Sequence, residues 1–212
     1  MKEIHLISQL FLENGILKSK VGRSTKKVHY RQGELDGACG AYSIAMALNI
    51  IGAFDADYLN KETLDVDFRT REGKLHKAIH DWGLFPNGLD SHECGTILDK
   101  FKKKTDYEII NATNVNSELL KSYIDNDIPL MLTISYPRGA HWVVVVGYEA
   151  KQGVVQNFYI LDPGSELPSS AYWNGVLSMK QAAKKYYRYA YNATDWDSMV
   201  AIETAIAIWL KK

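Results

Sequence analysis

Gln32-Gly-Glu-Leu-Asp-Gly-Ala-Cys39-Gly-Ala-Tyr-Ser-Ile-Ala-Met-Ala-Leu-Asn-Ile-Ile-Gly52 carries small or apolar residues on almost every face from Cys39 onward. A helix with such a surface is buried all round, and Gly52 supplies its C-terminal stop. This reading puts Cys39 on the first turn of a central helix. Upstream, Val28 to Gln32 alternates as a short strand would, and Gly33 to Ala38, with two glycines and Asp36, reads as a turn.

Downstream of the helix, charge rises from Asp55 to Asp106 and the apolar spacing becomes amphipathic. Helices are expected over Gly73 to Trp82 and Glu93 to Lys104, separated by the turn Phe85-Pro86-Asn87-Gly88. A further helix is expected over Ser117 to Asp127. After it come three β segments, Ile128 to Ser135, His141 to Tyr148 and Val154 to Asp162, with turns at Tyr136-Pro137-Arg138-Gly139 and Lys151 to Gly153. Ser178-Met-Lys-Gln181 fits a capping box opening a helix to Tyr187, and the alternation of Val200, Ile202, Thr204, Ile206, Ile208 and Leu210 predicts a last long strand. The expected class is α+β: a helical lobe, built from the Cys39 helix and residues 55–125, packed on an antiparallel sheet contributed by residues 128–212. Without repeats, low-complexity tracts or a Pro- or Ser-rich linker, residues 1–212 read as a single domain.

The chain has 25 Lys plus Arg against 25 Asp plus Glu, so its formal net charge is zero. That balance argues against a nucleic-acid or anionic-membrane binder, which would carry a basic excess. With 46% hydrophobic and 24% charged residues, it is not a disordered composition. Two cysteines, Cys39 and Cys94, are too few for a disulfide framework and point to a reducing compartment. Lys2, Glu3 and His5 interrupt the apolar run a Sec signal peptide needs, so the expected location is the cytoplasm or an export route of another kind.

Chemistry concentrates in Gln32, Cys39, His141 and Asp162. A thiol attacks carbonyl carbon as thiolate, and a helix N-terminus with a nearby imidazolium lowers its pKa. His141 opens a strand after a Gly-Ala turn, a position from which its ring can face a helix end. Asp162 closes the next strand, so a hairpin returns it beside His141, where it can accept the second imidazole N–H. The Gln32 side-chain amide can join the Cys39 backbone N–H as an oxyanion hole.

These residues, in Gln32-Gly-Glu-Leu-Asp-Gly-Ala-Cys39-Gly-Ala-Tyr, His141-Trp-Val-Val-Val-Val-Gly-Tyr148 and Tyr159-Ile-Leu-Asp162-Pro163, resemble the papain-like cysteine peptidases and, within them, the C39-like branch. The resemblance implies a papain-like fold with Gln32 as oxyanion donor, Cys39 as nucleophile, His141 as general base and Asp162 as orienting acid. It implies a protein or peptide substrate and no metal or cofactor. Papain itself has Asn as the third member, whereas Asp162 matches the C39-like pattern. The helical segment between Cys39 and His141 has no match in the family pattern, and residues 1–212 show no transporter region of the kind carried by the members that process bacteriocin leaders, so leader cleavage is not the expected activity. The same attack serves peptide cleavage, removal of ubiquitin-like modifiers or deamidation of glutamine, the last being the work of several stand-alone bacterial effectors. A catalytically silent binding module is the reading from another class. Trp142 would sit against the cleft and, with Asp36, is the candidate for substrate contact.

Other features have plainer readings. Ser91-His92-Glu93-Cys94 points its side chains in different directions along a helix start, so they do not converge on one metal ion. His76 and His80 have zinc-compatible spacing, but no Glu stands between them in the HExxH position. Lys102 to Lys104 reads as a helix end complementing the dipole.

Overall fold

The computed structural model describes residues 1–33, 38–54, 66–82, 88–183 and 186–211. Their strands are β1 (Lys2–Leu6), β2 (Leu10–Glu13), β3 (Ile16–Val21), β4 (Ser24–Lys27), β5 (Thr105–Ile110), β6 (Leu130–Tyr136), β7 (Gly139–Lys151), β8 (Val154–Leu161), β9 (Gly175–Ser178), β10 (Tyr189–Ala193) and β11 (Asp197–Leu210). The helices are α1 (Cys39–Ile50), α2 (Arg71–Trp82), α3 (Ser91–Leu98) and α4 (Ser117–Asp125). None of the described helices is long and apolar enough to cross a membrane.

The strands follow the order β7-β6-β11-β10-β9-β8, and β8 pairs back onto β7, closing a six-stranded antiparallel barrel. β1 continues the edge of β7 beyond β6, β5 continues the edge of β11 beyond β10, and β2-β3-β4 form a separate small sheet. This corrects the expected α+β architecture: the protein is mostly β, with four short helices among the described residues, and no helical lobe packs on an open sheet. The expectation failed because β1 and β9 are short strands whose partners lie far away in sequence, as in the pairings of Leu6 with Gly147 and of Ser178 with Asn157, and β2 to β4 and β10 are equally short.

Local departures have equally concrete causes. Val28 to Gln32 is not a strand. The ladder ends at Lys27, and the backbone N–H groups of Val28 and Gln32 donate to Leu17 and Pro163, which carries the chain from the small sheet to the loop after β8. The helix expected to run to Lys104 stops at Leu98, where the chain tightens into consecutive turns that bury Phe101. Its start is the capping box of Asp90 and Glu93. The helix expected from Ser178 is absent among the described residues. Ser178 ends β9 and Met179 N–H donates to Gln156 O, so the sheet takes the backbone that the helix would need. The Phe85-Pro86-Asn87 part of the expected turn lies outside the described residues.

The elements that position the site follow their sequence reading. Val143, Val144, Val145 and Val146 of β7 are all fully buried. No inside-outside alternation survives because this strand is covered on both faces, by the barrel interior and by α1. Each such side chain contributes about 1.5–3 kcal/mol of burial. Along α1, every residue but Tyr42 is buried, and Gly40 leaves just enough room for Leu89 and Trp142, whose atoms lie 3.0–3.2 Å from where its Cβ would stand. α1 ends at Gly52 with φ +74°, the left-handed stop that its sequence predicts.

Candidate active site

The hairpin β7–β8 builds the first half of the site. Its register pairs Val144 with Leu161, so the next residue, Asp162, falls opposite Val143, on the side from which His141 projects two residues earlier. The His141 Nε2 to Asp162 Oδ1 distance is 2.6 Å. This leaves Nδ1 for the hydrogen bond between His141 and the Cys39 thiol. Cys39 is the first residue of α1, with no acidic side chain in that turn to oppose the helix dipole.

Electrostatics of the three groups run in one sense. Burial alone pushes the Cys39 thiol up, but the hydrogen bond and charge of His141, with backbone N–H groups at Trp142 and Gly40, bring it below its ordinary value. Burial alone would lower His141, yet Asp162 and Cys39 together hold it well above its ordinary value. Asp162, fully buried, is pushed up by burial and brought below the usual carboxylate range by His141, Tyr191 and the Gly164 N–H. The state favoured is thiolate, imidazolium and carboxylate.

A cage of donors around Asp162 was not legible in the sequence. Oδ1 accepts from Gly164 N–H at 2.7 Å, and Oδ2 accepts from the Tyr191 hydroxyl at 2.7 Å and from Trp196 Nε1 at 3.0 Å. Asn174 accepts the Asp162 backbone N–H and donates to its carbonyl, and His29 donates Nε2–H to the same carbonyl at 3.0 Å. Burial keeps His29 below its ordinary pKa. Trp196 stands edge-on to the His141 ring, with centroids 5.9 Å apart, and packs against Tyr136. Burial and the negative charges of Cys39 and Asp162 raise the Tyr136 phenol. Aromatic density near the C-terminus was the one available signal for Tyr191 and Trp196.

Gln32 reaches the neighbourhood through its backbone, whose N–H donates to Pro163 O at 2.8 Å, just past Asp162. Its Oε1 is buried without a hydrogen-bond partner among the described residues. Asp36 lies outside them. Trp142 is buried, donates Nε1–H to Leu89 O at 2.7 Å, and with Cys39, Leu89, Asp90, Thr133, Ala140 and others lines a groove of about 350 Å³ beside the thiol. Cys94 is buried, unoxidised and pushed far up by burial, so the two cysteines differ sharply in character. Among the described residues, no cluster of His, Cys, Asp and Glu has the makings of a metal site.

The model of the Peptidase C39-like family matches residues 24–194. No curated protein matches the chain. A crystal structure from Bacillus anthracis, described provisionally as a C39-like peptidase, is 17% identical over 87% of this chain and 94% of its own, with a TM-score of 0.47. The matched span runs from Ser24 in β4 to Thr194 beyond β10, a range that includes positions 32, 39, 141 and 162. The chain belongs to the C39-like family of papain-like cysteine peptidases.

Proposed function

We propose that the protein is a thiol-dependent hydrolase that cleaves a peptide bond through Cys39, His141 and Asp162, and that residues 1–212 form one catalytic unit. The observation that carries this reading is the continuous line from Asp162 through His141 to the Cys39 thiol, with the pKa directions of all three groups favouring the ion pair. One unit is supported by a hydrophobic core that runs unbroken from Ile7 through α1 to Ile208.

In this mechanism the Cys39 thiolate attacks the carbonyl carbon. The oxyanion is held by the Cys39 N–H, at the first turn of α1, and by the Gln32 side-chain amide. His141 gives its proton to the departing amine, then takes one from water as that water attacks the thioester and expels the Cys39 thiolate, which restores the ion pair. Asp162 stays ionised, holding the ring orientation and stabilising the imidazolium. Every step uses groups of this chain.

The test is the rate of Cys39 alkylation against pH, read by intact-protein mass spectrometry in wild type and His141→Ala, with Cys94 as internal comparison. Fast labelling well below pH 8 that is lost in His141→Ala is the expected result. Labelling of Cys39 at the pace of an ordinary thiol, indifferent to His141, would overturn the proposal.

A further inference from the structure

Away from the thiol, Arg69, Arg71, Lys100, Lys102, Lys103 and Lys104 line a cleft of about 600 Å³ between the start of α2 and the turns that follow α3. Glu72 and Asp99 are its acidic lining residues. Arg69 is engaged by Asp67, with two contacts of 2.9 Å. Arg71 is different: its Nη1 is buried with no hydrogen-bond partner among the described residues. A guanidinium N–H taken from water without an acceptor is costly, and its planar fork matches a carboxylate. On a chain whose formal net charge is zero, six cationic side chains at one cleft are a strong local departure.

α3 connects this cleft to the candidate active site. Asp90 and Ser91, at its N-terminal end, line the groove that holds Cys39, while Asp99 and Lys100, just past its C-terminal end, line the basic cleft. Eight helical residues span about 12 Å, the reach of about four residues of extended chain.

We propose that the basic cleft is an exosite that grips an acidic stretch of the peptide or protein substrate, about four residues along the chain from the bond held at Cys39. This rests on the hydrolase reading above. The cleft's size falls within the range of ligand pockets and exceeds what a single small anion needs. A peptide is favoured over a nucleic acid because no aromatic ring lines the cleft among the described residues to stack a base.

The test is fluorescence anisotropy with fluorescein-labelled hexaglutamate, hexalysine and an oligothymidylate. They are titrated into the full chain, the Lys102→Glu/Lys103→Glu double variant and Arg71→Gln. Lys102 and Lys103 are exposed, so their variant keeps the proposal testable should Arg71→Gln fail to fold. Hexaglutamate should bind more tightly than hexalysine, weaken with added salt, and lose at least about tenfold in both variants. Equal binding by the double variant, or no preference over hexalysine, overturns the exosite. Oligothymidylate binding more tightly than hexaglutamate, and lost in the same variants, overturns the peptide assignment in favour of nucleic acid. Cys39 labelling is read separately. Ordinary labelling beside variant-sensitive hexaglutamate binding refutes the hydrolase and supports the acidic-peptide cleft, whereas activated labelling with indifferent hexaglutamate binding supports the hydrolase and refutes the cleft.

Discussion

The Tyr191 hydroxyl donates to Asp162 Oδ2 at 2.7 Å across the barrel end, from β10 to the residue that closes β8, and both side chains are buried. A buried carboxylate survives only if its lone pairs are met. Here one phenol, one indole and one backbone amide meet those that His141 does not. Removing the phenol should therefore act on ionisation as well as on packing.

Tyr191→Phe is expected to destabilise the fold by about 2 kcal/mol, the scale of a hydrogen bond to a charged group, read by urea unfolding. It should also raise the Asp162 pKa, moving the acidic limb of Cys39 labelling to higher pH. A loss of stability with an unmoved acidic limb would mean that the hydroxyl does not tune the carboxylate.

Gln32→Ala separates the oxyanion role from thiol activation. Cys39 should label as fast as in wild type, because the ion pair with His141 is intact. Turnover of any cleaved peptide should fall by about 10²–10³. Slowed labelling in this variant would show that Gln32 positions the thiol instead.

Stability should depend on pH through Asp162. Its folded pKa lies below the ordinary 3.8, so its contribution is present above that value and is lost as pH falls through the folded pKa. His141, raised in the folded state, contributes stability that is full below about 6.5 and is lost as pH rises through the folded value. Melting temperature against pH should thus fall at both ends, and Asp162→Asn should flatten both limbs. A variant with the wild-type profile would refute this linkage.

Gly175→Ala should resemble Tyr191→Phe without touching the phenol chemically. A Cβ at position 175 would stand 2.6 Å from the Tyr191 hydroxyl oxygen, so the ring must shift away from Asp162. Overpacking of this kind costs about 1–3 kcal/mol. Unchanged melting in the alanine variant would show that Tyr191 relaxes freely.

What the sequence made readable is local. α1 announces itself by its run of small and apolar residues, and β7 and β8 by a hairpin whose turn residues Gln152 and Gly153 both take positive φ. Those two features bring Cys39, His141 and Asp162 within reach of one another. The barrel was not readable, since its closure depends on short strands such as Gly175–Ser178 and on β11 serving β6 along one edge while β10 and β5 share the other. No periodicity within four residues specifies a partner fourteen or more positions away, as Leu177 finds in Tyr191. Ser178 to Gln181 misled for the same reason: a local capping pattern lost to non-local pairing with β8 and β10.

Because the Asp162 cage draws on Tyr191 and Trp196, the hydrogen bonds around its carboxylate are completed only by β10 and the residues that follow it. During synthesis α1 and the β7–β8 hairpin emerge before β10, so Cys39 and His141 can meet while the carboxylate still lacks its phenol and indole. Full tuning of the carboxylate behind His141 would then arrive with the last strands, as a late event of folding. The closed barrel in this sense couples completion of the chain to the last hydrogen bonds of its buried carboxylate.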